Sequence, residues 1–174
     1  AAMVGEVIST VRLVTLFHDG GVHILMAGWK VPRVGALADT PQRGALAARL
    51  DPETGQAGPV FTVLGPGGTT LTHHPDTGAA LDGVTLPHWQ AILNKTRRAA
   101  GLVHQLPLIG WDIAISPRGP VFVEANTSMS LEAFQPLLGE GMLAGDRGRL
   151  LRDARARQAP NKRARRRAKW GRRL

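Results

Sequence analysis

Short apolar and β-branched runs, each closed by a cluster of turn-forming residues, set the pattern of this chain. Thr10-Val11-Arg12-Leu13-Val14-Thr15-Leu16 is the first, and residues 9–17 read as a strand with Arg12 on one face. Residues 22–31 give a second strand, separated from the first by His18-Asp19-Gly20-Gly21. Residues 46–50 and 61–64 predict further strands. Between them lies Asp51-Pro52-Glu53-Thr54-Gly55, where Pro sets φ and Gly accepts a positive one. Gly65-Pro66-Gly67-Gly68 and His74-Pro75-Asp76-Thr77-Gly78 mark two more reversals. Residues 87–103 predict a helix: Pro87 suits a first turn, and Trp89, Ile92, Leu93, Ala99 and Ala100 form an apolar stripe. Two strands, 109–116 and 120–125, and a short helix over 131–138 follow. The order predicts an α+β fold, mostly antiparallel sheet with one or two packed helices.

The last strand pair carries the chemistry. Pro117-Arg118-Gly119 is a compact turn, and a three-residue loop would set Ser116 opposite Pro120 and Asp112 opposite Glu124. One face then holds Trp111, Ile113, Ile115, Val121, Val123 and Ala125. The other holds Asp112, Ala114, Ser116, Phe122, Glu124 and Asn126. Opposed carboxylates destabilise a strand pair unless one is protonated or a cation lies between them. Asn126 adds a third oxygen-bearing side chain beside Glu124. The all-oxygen set Asp112, Glu124 and Asn126 suits Mg²⁺ or Mn²⁺ rather than Zn²⁺.

Composition narrows the alternatives. The 174 residues contain no cysteine, which removes disulfides, thiolate metal sites and cysteine nucleophiles and accords with a cytoplasmic location. No apolar run reaches the roughly 20 residues of a membrane span. The formal charge of +9 is unevenly placed: thirteen of the 22 Lys and Arg lie in residues 147–174, beside one acid, Asp153. The first 146 residues are mildly acidic, so basicity belongs to the tail alone. The expected organisation is a domain over residues 1–145 and a basic, disordered or loosely helical tail over 146–174, interrupted by Pro160.

Gly-Trp-Asp-Ile-Ala-Ile at residues 110–115 and Gly-Pro-Val-Phe-Val-Glu-Ala-Asn at 119–126 together resemble the metal-binding hairpin of ATP-grasp enzymes, specifically the sugar-transfer-associated group related to α-L-glutamate ligases. Residues 9–15, 48–55, 74–78 and 86–89 extend the likeness in the same order, so that it covers about residues 8–128. The resemblance implies the C-terminal half of an ATP-grasp fold. Asp112, Glu124 and Asn126 would hold the magnesium ions of ATP, and Arg12 would serve catalysis and nucleotide binding by facing the phosphates. It implies activation of a small-molecule or saccharide-linked carboxylate as an acyl phosphate, followed by attack of an amine or similar nucleophile. Two departures stand out. Asp39-Thr40-Pro41-Gln42-Arg43-Gly44 has Thr and Arg where the group has Asn and Gly. The lysine-bearing N-terminal subdomain is also not among these residues, which suggests a truncated chain that binds ATP weakly and is inactive alone.

Other signals are weaker. Gly65-Pro66-Gly67-Gly68 lacks the Gly-Lys-Ser/Thr of a phosphate loop. His73 and His74 point to opposite faces if extended and have no third ligand, so a structural or substrate-lining role is expected. His18, His23, His88 and His104 are scattered without ligand spacing, and no Gly-x-Ser-x-Gly elbow occurs. The tail suits a solvated appendage, with nucleic acid or anionic lipid as the other reading. Trp170 is its single aromatic. The rival function is therefore a non-catalytic ATP-grasp remnant, or a protein that binds an anionic partner through that tail.

Overall fold

The computed structural model describes residues 8–35, 46–62, 69–128, 138 and 140–170, with side chains as far as residue 157. The expectations for residues 39–44, 63–68 and 131–137 fall outside the described residues.

In the first unit, residues 1–139, seven antiparallel strands form one sheet among the described residues. They are β1 (Thr10–His18), β2 (Gly21–Val31), β3 (Leu46–Leu50), β4 (Ala57–Thr62), β5 (Thr70–Leu71), β6 (Leu108–Ser116) and β7 (Gly119–Asn126), in spatial order β5-β4-β3-β2-β1-β6-β7. The β1–β2 connection is a two-residue turn in which Asp19 and Gly20 both take positive φ, 51° and 74°. That is the backbone that matches strand twist, and Asp-Gly adopts it readily. β4 starts earlier than its apolar run suggests, because Ala57 already pairs with Leu50.

The apolar face of the sheet carries Val11, Leu13, Trp29, Val31, Ala48, Leu50, Val60, Trp111 and Ile113, all buried. Helix α1 (Trp89–Leu102) covers it with Trp89, Ile92, Leu93, Thr96 and Ala100, an i, i+3, i+4, i+7 stripe. Pro87 stays outside the helix, and His88 caps it in the left-handed region at φ 62°. Gly55, at φ 74°, lies against the face of Trp89, whose indole N–H donates to the carbonyl of Pro52 at 3.3 Å. The turn ahead of it is pinned by Asp51, whose Oδ1 accepts from the Glu53 and Thr54 amides.

His74 has the structural role expected of it. It is buried, its Nε2 bonds the carbonyl of Pro32 at 2.9 Å, and its Nδ1 accepts from the amides of Asp76 and Thr77. Its neighbour His73 is exposed. Beside this turn Arg33 forks onto both oxygens of Asp76, and the Val34 amide donates to Oδ2. The Arg33 hydrogen bonds, aided by that amide and by positive charge, hold the Asp76 carboxyl down to about 2.

The last hairpin departs from the sequence expectation. Its turn has two residues, with Ser116 opposite Gly119 rather than Pro120, and Ile113 opposite Phe122. Ser116 closes it by donating to the Gly119 carbonyl at 2.8 Å, and Gly119 supplies the left-handed φ of 117°. The register shifts by one between Asp112 and Ile113, and that bulge returns Asp112 to its place opposite Glu124. The pairing puts Phe122 on the face of Trp111, their rings edge to face at 5.6 Å, and Val121 on the face of Asp112.

Residues 140–174 form a second unit containing α2 (Gly145–Trp170), which runs through Pro160. Its first turns are tied by Arg147 to Glu140 at 2.8 Å, Arg149 to Asp146 at 2.7 Å, and Arg152 to the carbonyl of Leu143. No described helix is long and apolar enough to cross a membrane.

Two measurements check this account. Gly55→Ala forces a left-handed alanine whose Cβ meets the Trp89 ring, and should cost about 2–4 kcal/mol in urea unfolding. Asp76→Asn should lower stability slightly at neutral pH, by less than about 1 kcal/mol because Arg33 is well exposed. A carboxyl depressed in the folded state stabilises above its ordinary value of 3.8. The difference in melting temperature between parent and variant should therefore close as pH falls from 3.8 towards about 2.

Candidate functional site

The face of the sheet opposite α1 carries a line of charged residues. Gly28 on β2, Arg12 on β1, Asp112 on β6 and Glu124 on β7 are successive partners across four strands. Lys30 lies two residues along β2 from Gly28 and shares its face, and Asn126 stands in the same relation to Glu124. Arg49 on β3 continues the line beyond Gly28. All four residues assigned from sequence, Arg12, Asp112, Glu124 and Asn126, therefore share one surface.

At its centre is a buried ion cluster. Arg12 and Lys30 are each 8% exposed and Asp112 5%. Arg12 Nε donates to Asp112 Oδ1 at 2.5 Å, and Arg12 Nη2 to Oδ2 at 2.7 Å. Lys30 Nζ reaches the same Oδ2 at 3.0 Å. Arg12 is held down because Val11 and Leu13, on either side of it, point into the core at 0% exposure. Asp112 is fixed in the same way by Trp111 and Ile113. Glu124 is exposed and Asn126 half-buried, as befits the outermost strand.

Arg12 and Lys30 thus stand with Asp112 and Glu124 on this face, and Arg49 adds a third positive charge at its β3 end. The repulsion expected between Asp112 and Glu124 is met by Arg12 and Lys30, so neither a bound cation nor a proton is needed to balance it. Lys30 is the residue that sequence reasoning missed. Pairing counted back from the Asp19-Gly20 turn would set it opposite Ser9, on the core side. A slip between Val14 and Thr15 moves it opposite Thr10, onto the face of Arg12.

A model of the sugar-transfer associated ATP-grasp family matches residues 1–147. The chain belongs to that family. Comparison with curated proteins and with solved structures finds no match. Membership makes this an ATP-grasp domain of the ATP-dependent ligase type, and ATP-grasp enzymes generally use ATP and Mg²⁺. The antiparallel sheet with its helices agrees with the α+β ATP-grasp expectation.

The donor chemistry of the hairpin fits a hard cation. Glu124 offers an exposed carboxylate, Asn126 a carbonyl oxygen and Asp112 a second carboxylate, all on one face. Three of the lone-pair directions of Asp112 are already engaged by Arg12 and Lys30. Among the described residues no three of His, Cys, Asp and Glu gather into a metal-holding group. The hairpin of this ATP-grasp chain brings only two such acids together and adds Asn126.

Removing the anion from the cluster strands two buried cations. Asp112→Asn should cost about 3–5 kcal/mol in urea unfolding, as for other broken buried pairs. Lys30→Met should cost distinctly less, since Arg12 keeps both oxygens of Asp112 bonded. Equal costs for the two would show that Lys30 matters as much as the fork does.

Proposed function

We propose that this face is the phosphate- and Mg²⁺-handling surface of an ATP-dependent carboxylate ligase that works through an acyl phosphate. The observation that carries the reading is the line Arg12–Asp112–Glu124 across three neighbouring strands, with Lys30 joined to it. Phosphoryl transfer asks little covalent chemistry of a protein. It asks for positive charge around the transferred group and for oxygens to hold the accompanying metal.

Arg12 has the planar fork that matches phosphate oxygens, and Lys30 adds a point charge beside it. Asp112, Glu124 and Asn126 would hold Mg²⁺. When bound, the metal neutralises charge on the phosphate oxygens. In the chemistry proposed, a substrate carboxylate oxygen attacks the terminal phosphorus of ATP and ADP leaves. An amine or similar nucleophile then attacks the acyl carbon, expelling inorganic phosphate. Arg12 and Lys30 orient the phosphoryl group and hold its developing charge in a setting drier than bulk water, where their attraction is stronger. The substrate is read as a small-molecule or saccharide-linked carboxylate, in keeping with the sugar-transfer association of the family. The reaction is placed in the cytoplasm, where ATP is available.

The test is calorimetric titration of Mn²⁺, with and without a non-hydrolysable ATP analogue, into this chain and into Glu124→Gln. Saturable binding that weakens on the order of tenfold or more in the variant is expected. Binding indifferent to Glu124, or none at all, would mean that the hairpin is a scaffold.

A further inference from the structure

Asp112 cannot serve two masters at once. Its Oδ1 accepts from Arg12 Nε at 2.5 Å, and its Oδ2 accepts from Arg12 Nη2 at 2.7 Å and from Lys30 Nζ at 3.0 Å. A Mg²⁺ ion bound to either oxygen sits at about 2.0–2.1 Å. It would then stand within contact range of two positive groups that are almost fully shielded from water, where like charges repel strongly. While both cations grip Asp112, a metal can engage only Glu124 and Asn126. Two oxygen ligands from the protein make a weak, open site.

Two features show what would release it. Asp112 is a short side chain locked between core residues Trp111 and Ile113, whereas Arg12 and Lys30 are long and unbranched, on strands that neighbour one another. The cations are therefore the movable partners. Both are also the groups that suit a phosphate dianion, one as a fork and one as a point charge. A phosphoryl group arriving over β1 and β2 offers them more negative charge than Asp112 does.

We infer that Arg12 and Lys30 act as a reversible latch on Asp112, so that phosphate binding over β1 and β2 completes the metal site on β6 and β7. Lys30 is then a positioning residue with two partners: the carboxylate of Asp112 in the empty site and the phosphate oxygens in the filled one. The two ligands bind cooperatively, the metal tightly only after or with the phosphate. Free divalent cation cannot saturate the hairpin at concentrations at which the nucleotide complex does. The inference rests on the reading of the hairpin as a metal site and adds to it the order in which that site is built.

Lys30→Gln separates the latch from simpler roles. Glutamine keeps a donor for Asp112 but loses the charge, and Arg12 still holds both oxygens, so the fold should persist; a circular-dichroism melt checks it. Mn²⁺ binding is counted by electron paramagnetic resonance with and without a non-hydrolysable ATP analogue. Without nucleotide the variant should bind Mn²⁺ about tenfold more tightly than the parent chain, because half the latch is gone. With nucleotide the sign should reverse and the variant bind more weakly, because a phosphate contact is missing. Plain charge repulsion would tighten binding in both conditions, and a purely structural lysine would move both alike. Either of those results overturns the latch while leaving a Glu124-dependent metal site in place. No Mn²⁺ binding by the parent chain in either condition removes the metal site and the latch with it. Inorganic sulfate gives a second measurement that needs no substitution: it should tighten Mn²⁺ binding to the parent chain, and Mn²⁺ should tighten sulfate by the same factor. Independent binding of the two would overturn the proposal.

Discussion

The burial of Asp112 between Arg12 and Lys30 is the constraint on which the charged face depends. Three ionic side chains, none more than 8% exposed, sit on the middle strands of a sheet whose other face carries the hydrophobic core. Withdrawing such charges from water is costly, and contacts between 2.5 and 3.0 Å recover the cost only because every strand involved is anchored from behind. Leu13 on β1, Trp29 and Val31 on β2, and Trp111 and Ile113 on β6 do that anchoring in the core. The core of this domain therefore does more than hold the fold together, since it fixes the spacing of the charges on the far side of the sheet.

Much of the fold was legible because the sheet follows period-two patterning closely. β1, β2, β3, β6 and β7 lie where alternation and turn residues place them, and Trp89, Ile92 and Leu93 mark the buried side of α1. What escaped on the charged face were two of the places where the pairing register shifts. A slip in the β1–β2 pairing carries Lys30 across to the charged face, and local alternation holds no trace of it. A second slip in the β6–β7 pairing offsets a turn one residue shorter than expected. The facing of Asp112 and Glu124 was thus anticipated through an incorrect turn, and the swapped places of Val121 and Phe122 record the difference. The partnership of Arg12 with Asp112 joins residues 100 positions apart and depends on which strands become neighbours, something a local pattern does not encode.

The two carboxylates differ in kind although they face each other. Asp112 is sealed and already compensated, whereas Glu124 lies open on the edge strand. Under the proposed phosphate- and metal-handling role, that difference has a use. A site that receives a highly charged ligand benefits from one acid kept neutralised by movable cations and another kept in solvent. On that proposal the charges would be balanced before and after the ligand arrives.

The bulge in the last hairpin has a consequence for how freely this region can vary. Because register is reset between the turn and the acids, the distance from Pro117 to the Asp112–Glu124 pair is not rigidly tied to the length of the loop. The bulge works like a spare notch in a belt: a tip one residue shorter than a three-residue loop still leaves Asp112 aligned with Glu124. The alignment of the two acids is in that sense set by the bulge together with the turn, and not by the turn alone.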